Sequence, residues 1–359
     1  MFLYFSENLI EWFSPLNAFT YITTRGILAA LTALIISFLF GPKIITVLQG
    51  KKIGETIRTD GPSSHSLKGG TPTMGGIMII LSIVVSVLMW SDLSNVYNLV
   101  LIASIISFGL IGFIDDFKKL KKSKKGMSAK TKFALQLIVA ASSTYYLLGQ
   151  GSEVLSSEVL IPFTNNIRVD LGWLFLPFAI FVIVGSSNAV NLTDGLDGLA
   201  IMPVSMIAIA LGIFAYVTGN FNFAEYLDLP FLKDAGEVFV FCCAISGAGL
   251  GFLWFNTYPA QIFMGDVGAV SLGGILGTIA VIVKQELILA IMGGVFIMET
   301  LSVILQVGSF KLRGKRIFNM APIHHHFELK GWAEPKVIVR FWIITVFLVL
   351  IGLSSLKIR

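Results

Sequence analysis

Long runs of apolar residues, separated by short polar segments, fill most of the chain after residue 20. A bilayer core of ~30 Å needs roughly 20 apolar residues in a helix. We predict about ten membrane-spanning helices, at residues 21–48, 74–90, 96–114, 133–149, 171–190, 199–218, 238–255, 267–283, 287–309 and 337–356. The predicted fold is therefore an all-α, polytopic integral membrane protein in which residues 1–359 form one domain.

The composition supports this prediction, because 55% of the residues are hydrophobic and only 13% are charged. Soluble globular domains carry about 25% charged residues, so that class is excluded. The first 20 residues, with Glu7 and Glu11, lack a basic start and a small-residue cleavage site, and we expect an amphipathic lead-in. We expect Cys242 and Cys243, inside a predicted span, to be small buried hydrophobes.

Basic residues are concentrated in alternate loops, which indicates the orientation of the chain. The odd-numbered loops hold 18 of the 26 lysines and arginines, whereas the even-numbered loops hold only Arg168, Lys233 and Lys284. Cytoplasmic loops of membrane proteins carry an excess of Lys and Arg. We therefore predict that the odd-numbered loops are cytoplasmic and that both termini are periplasmic.

Unusual polar residues form five clusters, all at the predicted inner ends of spans or in inner loops. They are "SLKGGTPTMGG", "DDFKK", "SSNAVNLTDGLDGLA", "WFNTYPAQIFMGDVGA" and "RIFNMAPIHHHFELKGW". Because all five lie at one face, we expect them to form one site.

The first two clusters each allow two interpretations. The Gly-Thr-Pro segment could be a helix cap, or Lys68 beside exposed backbone amides could bind a phosphate. Asp115 and Asp116 end a helix, where adjacent carboxylates are unfavourable unless a cation is near. We expect such a cation there, and we interpret the lysines that follow as a solvated strip facing anionic lipid.

Carboxylates and amides dominate the third and fourth clusters. Asn188, Asn191, Asp194 and Asp197 recur every three residues, which places them near one face of a helix that opens into a loop after Asp194. We interpret this strip as a binding surface. Asp266 between glycines could be a turn residue, but beside the other aspartates it becomes a candidate ligand for Mg²⁺.

Three of the four histidines, His324, His325 and His326, are consecutive. Consecutive side chains point in different directions, so we expect contacts with a phosphate or a sugar rather than one shared metal site. Glu299 lies inside the ninth predicted span, where a buried carboxylate is a functional candidate. A packing role is equally compatible with its position, and we leave it outside the predicted site. The five clusters together favour phosphoryl transfer to a lipid, since that reaction depends on positioning and charge neutralisation.

The segments "TPTMGG", "IGFIDDFKK", "NAVNLTDGLDGLA", "GFLWFNTYP", "FMGDVG" and "MAPIHHHFELKGW" occur in this order along the chain. Together they resemble the bacterial phospho-N-acetylmuramoyl-pentapeptide transferases, over essentially all 359 residues. The aspartate motifs are similar to those of the wider superfamily of polyprenyl-phosphate N-acetylhexosamine-1-phosphate transferases, whereas "APIHHHFELKGW" resembles the muramoyl-pentapeptide branch. Ala269 stands where that family usually has Ser.

The resemblance implies an enzyme that uses UDP-MurNAc-pentapeptide, undecaprenyl phosphate and Mg²⁺. The products would be lipid I and UMP, in peptidoglycan synthesis and hence in cell-wall biogenesis, cell shape and division. It also implies a homodimer in the bacterial cytoplasmic membrane, in contact with membrane lipid and with its active site on the cytoplasmic face. No nucleic acid is expected as a partner.

The resemblance also implies roles for individual residues. The catalytic residues would be Asp115, Asp116, Asp266 and His325, and Asp266 would hold the metal. The substrate-binding residues would be Lys68, Thr73, Lys130, Lys132, Asn191, Asp194, Gly195, Leu196, Asp197, Asn256, Phe263, His324 and His326.

Two alternative functions stay open from the sequence. A sister enzyme would transfer GlcNAc-1-phosphate to a polyprenyl phosphate, and the histidine segment argues against it. A cation-coupled transporter would place its acidic residues near the bilayer midplane and show related halves. Here the acidic residues gather at one face, and no internal repeat stands out.

Overall fold

The computed structural model describes residues 2–4, 14–50, 70–120, 126–151, 154–164 and 167–358. It is 75% helical with almost no strands. The α-helices of this described part are α1 (Ile22–Gly50), α2 (Gly76–Trp90), α3 (Val96–Lys118), α4 (Ala129–Gly149), α5 (Phe175–Thr193), α6 (Ile201–Thr218), α7 (Phe221–Tyr226), α8 (Val238–Asn256), α9 (Gly265–Ile282), α10 (Glu286–Met292), α11 (Gly294–Arg313), α12 (Ile323–Leu329) and α13 (Glu334–Ser354). Strands β1 (Glu158–Leu160) and β2 (Arg168–Asp170) pair antiparallel, with Glu158 opposite Asp170.

Eight helices of the described part are long and apolar enough to cross a membrane, by length and composition: α1, α3, α5, α6, α8, α9, α11 and α13. This confirms the all-α, polytopic membrane fold. Two further predicted spans also form helices, namely α2, an apolar helix of 15 residues, and α4, of 21 residues. Neither is among the eight, so the count of ten spans stays a prediction.

The ninth predicted span differs from the structure. Residues 287–309 were expected to form one helix, but α10 ends at Met292 and α11 begins at Gly294. Gly293 separates the two and Gly294 begins α11; adjacent glycines are weak helix formers that permit such a break. The prediction of one continuous helix was wrong because hydropathy does not show where an apolar helix is interrupted.

The centre of the bundle is α9, with 89% of its residues buried. It packs against α3 and α5, while α8 packs against α1 and α6. Gly268, Gly273, Gly274 and Gly277 keep the α9 surface thin, and small residues of this kind allow helix backbones to approach closely within a membrane. Because α9 is enclosed on all sides, the position of its first turn is fixed relative to its neighbours.

The end of α3 lies beside the starts of α4 and α9, as contacts between their terminal residues show. The ends of α5 and α8 join the same region through the loop that follows each helix. The polar segments of the sequence fall at these helix ends. One end of the bundle therefore carries the candidate site.

Candidate active site

Three carboxylates and two lysines meet where α3, α4 and α9 converge. Lys119 Nζ lies 3.1 Å from Asp115 Oδ2, 3.3 Å from Asp116 Oδ1 and 2.7 Å from Asp266 Oδ2. Lys132 Nζ lies 2.7 Å from Asp266 Oδ2 and 3.5 Å from Asp115 Oδ2. We call these five residues the carboxylate–lysine cluster.

Backbone groups of neighbouring helices fix the two aspartates of α3. Asp116 Oδ2 accepts a hydrogen bond from Val267 N at 3.2 Å, in the first turn of α9, where the helix dipole favours a negative charge. Asp115 Oδ1 accepts a hydrogen bond from Met127 N, just before α4. Gly265 has a φ of 71°, and a Cβ there would lie 2.7 Å from Asp116 Oδ2, so this position requires glycine.

The cluster has three carboxyl groups and two lysines, and one side of it is exposed. The side chains of Asp115 and Asp116 are almost fully buried, and Lys119 keeps 42% of its side chain exposed, which leaves the cluster open to solvent on that side. Burial lowers the pKa of Lys119, but the carboxylates of Asp266, Asp116 and Asp115 raise it more, and the net pKa lies above its usual range. With all three carboxyl groups ionised, they would exceed the two ammonium groups by one negative charge, which a further cation would balance.

Asn191 and Thr73 border the cluster. Asn191, near the end of α5, donates from Nδ2 to Asp266 Oδ1 at 2.8 Å and accepts from Lys132 Nζ at 3.3 Å. Thr73 Oγ1 would lie 2.9 Å from a Cβ on Gly265, so its hydroxyl lies at the start of α9. Both side chains can therefore contact a molecule bound at the cluster.

The turn after α5 is tied into the protein by its own side chains. Asp194 follows the last residue of α5 and is half-buried. Asp197 is 2% exposed; its N–H donates to Glu334 Oε1 at 3.1 Å, and its Oδ2 accepts from Ala260 N at 3.0 Å. Leu196 belongs to a small buried cluster. The turn is thus held rigidly, and Asp194 is its most accessible acid.

The loop between α8 and α9 is held by Asn256 and by the segment before α2. Asn256 Oδ1 accepts from Gly198 N at 2.9 Å, and its Nδ2 donates to Ile262 O at 2.8 Å. Phe263 N donates to Pro72 O at 2.8 Å. These bonds fix the backbone of Phe263, whose side chain is half-buried at the edge of the site.

Two of the three histidines have separate partners within the described part of the chain. His325 Nδ1 lies 2.8 Å from Glu328 Oε2, while His326 Nδ1 accepts a hydrogen bond from Asn319 N at 3.1 Å. This hydrogen bond joins His326 to the loop that precedes α12. His325 is half-buried, and Glu328 contacts it through Nδ1.

The third histidine, His324, is fully buried and lies against the turn after α5. A Cβ on Gly195 would overlap its Nε2 and lie 2.9 Å from its Cε1, so only glycine fits at that position. The structure therefore brings the histidine segment and the turn after α5 together, which the sequence predicted only from their shared face.

One predicted residue does not join this group. Lys130, in the first turn of α4, is exposed and makes no ion pair within the described part of the chain. The prediction for Lys68 falls outside the described residues and stays a prediction. One residue was missed: Lys119 was assigned to a lipid-facing strip, but it points into the cluster. Its spacing of three and four residues from Asp116 and Asp115 on one helix was the signal that could have revealed it.

The family model of glycosyl transferase family 4 matches residues 98–284 of the chain. The matched region is more than half of the chain and contains Asp115, Asp116, Lys132 and Asp266. The chain belongs to this family. It is therefore a membrane-embedded transferase of the polyprenyl-phosphate sugar-1-phosphate class.

The transferase has a donor set that suits Mg²⁺. Within the described ranges, no group of three or more His, Cys, Asp or Glu side chains forms a complete metal site. Mg²⁺ does not need one, because it binds through one or two carboxylates together with substrate phosphate oxygens and water. Asp266, Asp115 and Asp116 bring such oxygens together around Lys119, so the donor types present fit this ion.

Proposed function

We propose that this transferase moves phospho-MurNAc-pentapeptide from UDP-MurNAc-pentapeptide to undecaprenyl phosphate, giving lipid I and UMP. The reaction would take place on the cytoplasmic face of the bacterial cytoplasmic membrane, in peptidoglycan synthesis. The observation that carries the proposal is the contact between the histidine segment, which resembles the muramoyl-pentapeptide branch, and the turn that borders the carboxylate–lysine cluster.

In the proposed reaction the lipid phosphate attacks directly. One of its oxygens forms a bond to the phosphorus that carries the sugar. The bond from this phosphorus to the bridging oxygen breaks, and that oxygen leaves with UMP. A phosphate monoester has a second pKa of about 6, so at neutral pH it is largely a dianion and needs little help from a base.

The cluster would act mainly by charge. Lys119 and Lys132 reduce the repulsion between the lipid phosphate and the diphosphate of the donor. Asp115 and Asp116 would orient the lipid phosphate, and one of them would accept its remaining proton when present. Bound Mg²⁺, held by Asp266 with help from its neighbouring carboxylates, would neutralise the charge on the phosphate oxygens.

The nucleotide and sugar would occupy the side of the site that the turn after α5 and the loop before α9 form. Phe263 offers an aromatic face for stacking with uracil, and Asp194 can accept hydrogen bonds from the base or the ribose. His325 would contact the phosphate or the sugar, with Glu328 holding its ring. We infer a homodimer in membrane lipid from the resemblance alone.

One assay tests this function. The purified protein is mixed with undecaprenyl phosphate, Mg²⁺ and either UDP-MurNAc-pentapeptide or UDP-GlcNAc, and release of UMP is followed. We expect UMP only from the muramoyl donor, and we expect EDTA to abolish its release and Mg²⁺ to restore it. Efficient transfer from UDP-GlcNAc would instead favour the sister enzyme, and turnover unaffected by EDTA would contradict the role of the metal.

The transporter alternative has less support. The acidic residues of the cluster lie in the last turn of α3 and the first turn of α9, at the helix ends. Ion-coupled transporters place such residues near the bilayer midplane. The position of the cluster therefore favours chemistry at the membrane boundary.

A further inference from the structure

A buried carboxylate lies directly behind the histidine segment. Glu299 is in the second turn of α11, and His324 is in the first turn of α12; both side chains are 0% exposed. His324 Nδ1 lies 3.1 Å from Glu299 Oε2, and the His324 backbone N lies 3.5 Å from the same oxygen. One oxygen of Glu299 thus faces both the ring and the backbone of His324.

Three polar atoms of this pair make no hydrogen bond within the described part of the chain. They are Glu299 Oε1 and both ring nitrogens of His324, so the 3.1 Å between Nδ1 and Glu299 Oε2 is the approach of an ion pair rather than an aligned hydrogen bond. A buried carboxylate is costly unless a proton or a cation compensates its charge. The Nδ1 edge of the His324 ring is the group placed to do so, and Nε2 lies at the opposite edge of the ring.

The ring of His324 is packed against the turn after α5. Nε2 faces Gly195, where even a methyl group would overlap it, and the ring centroid lies 4.1 Å from that of His325. Gly195 belongs to the turn that carries Asp194. Nε2 is therefore aimed at the backbone of the turn where we place the nucleotide side of the site.

We propose that Glu299 is a positioning residue: it holds His324 by Nδ1 so that Nε2 faces Gly195 and the turn after α5. A carboxylate that binds one nitrogen of a histidine fixes both the orientation and the tautomer of the ring. The pair Glu328 and His325 is separate, because it lies within α12 and does not involve α11. The effect of Glu299 on turnover rests on the proposed function, but its effect on His324 does not.

The first test measures the ring itself. The chain has four histidines, so selective ¹⁵N-histidine labelling of the protein in detergent gives few imidazole signals, and His324→Gln assigns the relevant one. We expect the His324 Nδ1 signal of a protonated nitrogen in the unaltered protein, and a changed His324 spectrum in Glu299→Gln. Identical His324 signals in the two proteins would overturn the proposal, whichever sugar the enzyme transfers.

A second variant guards against a Glu299→Gln protein that does not fold. Gly195→Ala places a methyl group against Nε2 without changing α11. We expect it to shift the His324 signals as well, while Gly185→Ala, on α5 with open space around it, leaves them unchanged. Unshifted His324 signals in Gly195→Ala would show that the ring does not face the turn.

The third test measures turnover with whichever UDP-sugar the protein accepts. We expect Glu299→Gln to reduce it on the order of 10- to 100-fold, as for loss of the charged partner of one histidine. Added to His324→Gln, it should have little further effect, because both changes remove the same interaction. Glu328→Gln is the matched control and should reduce the turnover of His324→Gln further, since it acts through His325. Independent, multiplying effects of Glu299→Gln and His324→Gln would contradict the proposal.

Discussion

Asp266 contacts both lysines of the cluster and Asn191. Its Oδ2 lies 2.7 Å from both Lys119 and Lys132, and its Oδ1 accepts a hydrogen bond from Asn191. It begins α9, the most enclosed helix of the bundle, and its backbone position is therefore well defined. These contacts need a charged acceptor but make no contribution to the apolar core.

We therefore predict that Asp266→Asn lowers turnover by several orders of magnitude and leaves the fold intact. The amide keeps the shape of the side chain but loses the charge that faces the two lysines. UMP release and thermal unfolding in detergent would be measured side by side. Asp170→Asn, in the exposed strand β2, is the control and should keep full turnover. An Asp266→Asn protein with ordinary turnover would contradict our assignment of this site.

The sequence could predict the residues of the cluster better than their partners. The two adjacent aspartates of α3 predicted a nearby cation, and Lys132 and Lys119 lie close to them. Glu299 and Glu328, by contrast, could not be assigned to histidines from the sequence. Which carboxylate faces which imidazole depends on how α11 and α12 pack, and neither spacing nor hydropathy contains that information.

At the scale of elements, a buried ion pair joins α1 to the start of α8. Arg25 donates to both carboxylate oxygens of Glu237, at 2.8 and 2.5 Å, and also to Trp90 O at 3.2 Å at the end of α2. Glu237 Oε2 accepts a further hydrogen bond from Asp92 N at 3.1 Å. One ion pair thus connects α1, the end of α2 and the start of α8. None of its residues belongs to the carboxylate–lysine cluster.

We predict that Glu237→Ala destabilises the protein by about 3–5 kcal/mol, because it leaves the guanidinium of Arg25 buried without its partner. Glu158→Ala is the matched control: Glu158 pairs with Arg168 at 3.7 Å on the exposed hairpin, where ion pairs contribute little. Thermal unfolding in detergent measures both. Equal, small effects of the two substitutions would show that the Arg25 pair does not join these helices.

Hydropathy could predict the apolar helices but not the break between α10 and α11. Residues 287–309 form a largely apolar run, and only the pair Gly293 and Gly294 indicates where the helix can be interrupted. The energetic reason is that a glycine pair permits a break without requiring it. Packing of α10 against α13 and of α11 against α5 then decides the outcome.

At the scale of the whole molecule, the predicted orientation places the cluster on the cytoplasmic side. Lys130 is exposed near the cluster, and Asp170 is exposed on strand β2, which follows the opposite end of α4. We predict that a membrane-impermeant maleimide labels Lys130→Cys only from the cytoplasmic side and Asp170→Cys only from outside. The unaltered protein, whose Cys242 is buried and Cys243 half-buried, gives the background. The reverse pattern would overturn the orientation.

The central claim is that the carboxylate–lysine cluster supports direct attack by the lipid phosphate, with no phospho-sugar attached to an aspartate. A covalent route would need one carboxylate to attack an anionic phosphorus while its two neighbours repel that phosphorus. The most direct measurement is isotope exchange, with labelled UMP, UDP-MurNAc-pentapeptide, Mg²⁺ and enzyme, rigorously free of lipid phosphate. We predict no label in the UDP-sugar. Label that enters the UDP-sugar at a rate comparable with turnover, and that is lost when Asp115, Asp116 or Asp266 is changed to Asn, would contradict the account.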